Sequence, residues 1–156
     1  METKYWICDH CEQHIKAPEH GWVEWISLGV GKPGRGLRLV HHAPHSPAHP
    51  YGSCQYKQGA EYSKDKGVVG DDSLAVFLSP EGYMALLDML GNNDLPADEI
   101  IEMLKRLYIP GYEIVRRFLG IAVAEGVFEE TSRRGFPTQG QMEAVLKWVN
   151  NNGLMP

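Results

Sequence analysis

No stretch of this chain is long and apolar enough to cross a bilayer, which takes roughly 20 consecutive residues of low polarity. Even Phe118 to Val123 is interrupted by Gly120 and flanked by Arg117 and Glu125. No membrane insertion is expected. Cysteine is scarce and odd in number: three residues, which excludes a fully paired disulfide framework. The first residues, Met1-Glu2-Thr3-Lys4-Tyr5-Trp6, lack a basic region followed by a long apolar stretch, so nothing marks the chain for export and the expected compartment is the cytoplasm. Positive charge is short in the second half. Residues 1–70 carry eight basic against seven acidic side chains, whereas residues 71–156 carry seven against thirteen.

What remains is the composition of an ordinary globular protein, with 43% hydrophobic and 22% charged residues over 156 positions, near the usual size of one domain. The two halves differ in texture. The first is rich in Gly, Pro, His and aromatic residues; the second shows helical periodicity. Two segments are therefore expected, 1–70 and 71–156, packed as one domain or as two.

In the first half, Trp22-Val23-Glu24-Trp25-Ile26 and Leu37-Arg38-Leu39-Val40 read as two strands of a hairpin joined by a Gly/Pro-containing loop. Alternation puts Leu37, Leu39 and His41 on one face and Arg38, Val40 and His42 on the other. Pro44, Pro47 and Pro50 make the histidine-rich stretch that follows a loop. Burial is expected for both Trp22 and Trp25.

The second half predicts a small bundle of four to five helices. Leu74, Phe77 and Leu78 mark a short one. Ser79-Pro80 starts another, with Tyr83, Leu86, Leu87 and Leu90 as its buried stripe. A third runs from about Pro96 with Ile100, Met103, Leu104 and Leu107 inward, and breaks at Ile109-Pro110-Gly111. A fourth buries Ile114, Val115, Phe118, Leu119 and Ala122. The last starts at Thr138, which with Gln141 forms a capping-box pattern. The fold class is thus α+β: a zinc-stabilised knuckle and β-hairpin, treble-clef or zinc-ribbon-like, followed by helices.

Cys8-Asp9-His10-Cys11 carries the chemistry. Two thiolates spaced C-x-x-C at the end of a strand can reach one ion, and structural zinc closes four tetrahedral positions with sulfur and imidazole. The remaining donors are Cys54 and one of His41 and His42, since strand alternation turns only one of that pair toward the ion. One structural Zn2+ per chain is expected on Cys8, Cys11, Cys54 and His41 or His42. A thioredoxin-like use of the motif needs a helix directly after it, which Pro18 and the nearby glycines leave little room for.

Together, Cys8-x-x-Cys11, Gly21-Trp22-Val23-Glu24-Trp25, Leu39-Val40-His41-His42, Cys54 and Ile109-Pro110-Gly111-Tyr112-Glu113 resemble a group of small uncharacterised bacterial zinc-finger-like proteins. The resemblance spans most of the chain. It implies a zinc-finger-like N-terminal part and a helical C-terminal part, and implies no activity.

Three functions are open. The first is a non-enzymatic, zinc-stabilised regulatory or interaction protein whose partner is another protein. The second is nucleic-acid binding through a helix-turn-helix around Ile109-Pro110-Gly111, with a hairpin over residues 127–136 carrying Arg133 and Arg134; the acidic balance of the second half opposes it, because phosphate contacts dominate such affinity. The third is a metal-dependent nuclease of the HNH kind, in which a histidine of the 41–42 pair activates water. No convincing downstream Asn and second C-x-x-C-H element follow, so no catalytic residue is assigned.

Overall fold

The computed structural model describes residues 5–128 and 136–156. Of the hairpin expected over residues 127–136, residues 129–135, Arg133 and Arg134 among them, lie outside the described residues. The chain is α+β, and it divides into two compact units: one is Trp6–Tyr108, the other comprises Tyr5 and the described residues from Ile109 onward.

The first unit contains both sheets. Strands β1 (Trp6–Ile7) and β2 (His14–Ile15) form a two-stranded antiparallel ribbon with Trp6 opposite Ile15. Strands β3 (Gly21–Ser27), β4 (Arg35–His41) and β5 (Val68–Ser73) form an antiparallel sheet in the order β4-β3-β5. The expected hairpin is present as β3 and β4, with Trp22 opposite Val40 and a register shift between Glu24 and Ile26. Helix α1 (Gln58–Asp65) precedes β5, and α2 (Leu74–Phe77), α3 (Pro80–Asn92) and α4 (Ala97–Tyr108) follow it.

One core joins β1 to β4 with α2, α3 and α4. Ile15, Val23, Leu39, Leu74, Leu86 and Ile100 are each 0% exposed within it. Each contributes about 1.5–3 kcal/mol of gross apolar burial, before the chain entropy that folding costs is subtracted. Trp22 and Trp25 are only partly buried and pack against this core, where full burial is expected from their strand.

Helix α3 departs from its expected stripe. Leu86 is buried, but Tyr83 and Leu87 are each 43% exposed. The cause is Gly82. A Cβ there would stand 2.2 Å from the Phe77 Cα, so the bare backbone lets α3 lie directly on α2. That approach rolls the helix, turning Gly82, Leu86, Met89 and Leu90 inward.

Helix α4 covers the start of one sheet edge, that of β4. The Glu99 carboxylate accepts the backbone N–H groups of Gly36 (3.3 Å) and Leu37 (3.2 Å) in edge strand β4. An unpaired strand edge is a template for association, and here a side chain covers it.

In the second unit, α5 (Tyr112–Ala124) and α6 (Gln139–Asn151) pack through Ile114, Val115, Ala122, Val145 and Val149, all buried. The capping box at α6 is formed: Thr138 Oγ1 accepts from the Gln141 N–H, and Gln141 Oε1 accepts from the Thr138 N–H. No helix among the described residues is long and apolar enough to cross a membrane.

Candidate metal centre

The chain reverses between β1 and β2 through a tight knuckle. Glu12 takes a left-handed conformation at φ 61°, its N–H bonds the Cys8 carbonyl at 2.9 Å, and the Cys8 N–H bonds the Gln13 carbonyl at 3.0 Å. This geometry turns Cys8 and Cys11 toward the same point. Asp9 then fastens the knuckle to the hairpin. Its N–H donates to the Leu39 carbonyl at 2.7 Å, while its carboxylate accepts the Leu39 N–H at 2.8 Å and pairs with Arg106 of α4 at 2.7 Å. Arg106 also donates to the Ile7 carbonyl at 3.0 Å, so one buried guanidinium ties α4 to the base of the knuckle.

Held in this register, His41 at the end of β4 meets the two cysteines. Its Nδ1 lies 3.4 Å from Cys11 Sγ and 3.9 Å from Cys54 Sγ. Its Nε2 lies 3.2 Å from the His14 carbonyl oxygen, the partner that puts the ring proton on Nε2 and leaves the Nδ1 lone pair facing the sulfurs. His42 does not join them. Its ring stacks on Trp22 with centroids 4.6 Å apart. The alternation of β4 brings one of the pair to the cysteines, and that one is His41.

Cys54 comes from the loop after β4, and buried polar groups place it. Glu24 and Arg38 face each other across the hairpin and pair at 2.7 Å, with Glu24 0% exposed. Arg38 donates to the Cys54 carbonyl at 3.0 Å and lies 3.5 Å over the Tyr56 ring, while Glu24 accepts the Tyr56 N–H at 2.9 Å. The buried Ser46 hydroxyl accepts the Cys54 N–H at 3.0 Å. Sequence reasoning missed these positioning residues. The signal present was a pair of opposite charges in the middle of two apolar strand runs.

The four donor atoms of Cys8, Cys11, His41 and Cys54 all lie within 4.8 Å of one another. A tetrahedral ion with metal–sulfur bonds of about 2.3 Å and metal–nitrogen bonds of about 2.0 Å sets sulfur and nitrogen about 3.5 Å apart and sulfurs about 3.8 Å apart. The two distances to His41 bracket the first value, and no donor separation exceeds the second by more than about 1 Å. The cluster is compatible with one metal ion. All three cysteines are free of disulfides, and Cys8 and Cys54 are buried.

Burial pushes the Cys11 thiol up to about 12, against a backbone hydrogen bond from Gln13 and with a further rise from the neighbouring Cys8 thiol. Burial raises Cys54 too, and lowers His41, which keeps its imidazole neutral. Thiols raised in this way, Cys11 and Cys54, stand either as neutral groups or as thiolates around a cation, whose charge reverses the cost of ionisation.

The other histidines stand elsewhere. His10 is exposed in the knuckle, and His20 stacks on His45 at 3.9 Å on the surface. His49 is exposed. Comparison with protein-family models, with curated proteins and with solved structures returns no match to this chain.

Proposed function

We propose that this chain is a non-enzymatic, zinc-stabilised regulatory or interaction protein, in which Cys8, Cys11, His41 and Cys54 hold one structural Zn2+. The observation that carries the reading is the closed, three-sulfur, one-nitrogen donor set, with Cys8, His41 and Cys54 buried at 0%, 5% and 3% exposure. Four protein donors leave no position for substrate or water, the mark of a structural rather than a catalytic zinc. Knuckle, hairpin end and loop converge on the ion in a treble-clef or zinc-ribbon-like manner, in line with the resemblance to small bacterial zinc-finger-like proteins. Both ring nitrogens of His41 are engaged, Nδ1 toward sulfur and Nε2 toward the His14 carbonyl, which argues against its use as a water-activating base. Reduced thiolate sites suit a reducing compartment, and the cytoplasm is the one we assign.

Metal analysis of protein purified without added zinc tests this reading. About one zinc per chain is expected, and chelation should unfold the Trp6–Tyr108 unit, since zinc contributes roughly 10–16 kcal/mol in comparable small sites. A metal-free chain that folds normally in chelator would remove it.

A nucleic-acid reading keeps one observation in its favour: α4 and α5 are separated by three residues, and Arg116 and Arg117 are exposed on α5. It requires a salt-dependent mobility shift that Arg116→Glu with Arg117→Glu abolishes.

A further inference from the structure

Helix α3 is apolar on two sides. Leu86 seals the core, yet Tyr83, Met84 and Leu87 are 43%, 62% and 43% exposed. At 100° per residue these three fall in one band about 100° wide, which also contains exposed Pro80 and Gly91 and no charged side chain. Glu81 and Asp88, both exposed and seven residues apart, border it beside Met84. The far wall is fixed. The Tyr83 ring meets Tyr108 edge-on at 4.9 Å, and the Tyr108 hydroxyl donates to the Phe77 carbonyl.

The charge along the segment that carries this band has one sign. Between Lys66 and Lys105 there is no Lys or Arg at all, against eight Asp and Glu residues. Glu81 and Asp88 at the border of the band repel acidic partners and attract those whose apolar face is flanked by cations. A symmetric pairing of two copies across this face would set Glu81 and Asp88 against their own equivalents, which opposes self-association there.

We propose that the Tyr83–Met84–Leu87 face of α3 is the docking site for a basic amphipathic helix of a partner protein. Leu and Met side chains of the partner cover the band, and its Lys or Arg residues reach Glu81 and Asp88. This rests on the interaction-protein reading above and names the class of partner. Thirteen residues of α3 match three to four turns of such a helix.

The test uses the full chain and two labelled helical peptides of about 20 residues. They share one leucine face and differ only in lysine or glutamate flanks. Fluorescence anisotropy should show the lysine peptide binding, more weakly as salt rises, with the glutamate peptide at least tenfold weaker. Met84→Ser and Leu87→Ser should each weaken the lysine peptide roughly tenfold. Combined Glu81→Lys and Asp88→Lys should reverse the preference, a result that a merely sticky surface would not give. Equal affinity for both peptides, or binding indifferent to these variants, overturns the proposal. So does a concentration-dependent dimer that Leu87→Ser dissolves, because a second copy then covers the face. Zinc content measured on the same preparations separates this result from the fate of the metal site: a zinc-free chain with the lysine preference loses only the staple, and a zinc-loaded chain without it loses only the docking site.

Discussion

Replacing Arg38 by Met should expose what positions Cys54. Arg38 is the ionic partner of Glu24, which is 0% exposed, and its side chain is itself 19% exposed. Removing one member of a buried pair leaves an uncompensated charge and costs about 3–5 kcal/mol; the partial exposure of Arg38 points to the lower end, about 3 kcal/mol. Loss of the hydrogen bond to the Cys54 carbonyl lies within that figure rather than on top of it. The deficit should depend on pH. Burial already raises Glu24 above its ordinary 4.5, against Arg38, which lowers it. In Arg38→Met the opposing partner is gone, so the folded-state value rises further. A raised folded-state pKa contributes stability below the unfolded value that is lost as pH rises through the folded value. The variant should therefore approach the parent near pH 5 and fall furthest behind near pH 8. Urea unfolding of both proteins in excess zinc, followed by circular dichroism at several pH values, measures this. A deficit below about 1 kcal/mol at pH 8, or one that does not change with pH, refutes the ionic role of the pair.

Other outcomes follow from single contacts. His41→Ala should lose bound metal while His42→Ala keeps it, as metal analysis of the two variants will show. Gly82→Ala should lower thermal stability by about 1–3 kcal/mol, because its Cβ meets backbone atoms of Phe77 and Val76 that cannot turn aside. The Arg35 guanidinium holds Glu61 below its usual 4.5, stability present above that value and lost as pH falls through the depressed one. Acid unfolding of Arg35→Gln should thus set in at higher pH than that of the parent, with little pH dependence between 6 and 8.

The local parts of the fold were legible because their signals are local. The thiol spacing of Cys8 and Cys11, the hairpin runs and the Thr138 capping box each appear within a few residues. The choice between His41 and His42 was not, since it depends on strand register set by Asp9 against Leu39 and on the His14 carbonyl. Strand β5 was missed: Val68-Val69-Gly70-Asp71-Asp72-Ser73 holds a glycine and two aspartates, poor strand formers, and pairing with β3 overrides that preference. Helix α1 offered no apolar stripe, its one buried residue being Glu61, and it is tied down by Arg35 instead. In α3 periodicity alone suggested Tyr83 and Leu87 as core, and the close approach at Gly82 turned them out.

Zinc-edge X-ray absorption of the purified chain addresses the central claim most directly, because it reads the donor atoms themselves. Three sulfurs at about 2.3 Å and one nitrogen at about 2.0 Å are expected, with the nitrogen shell altered in His41→Ala and unchanged in His42→Ala. Fewer than three sulfurs, an oxygen-rich shell, or a folded chain that binds no zinc contradicts it.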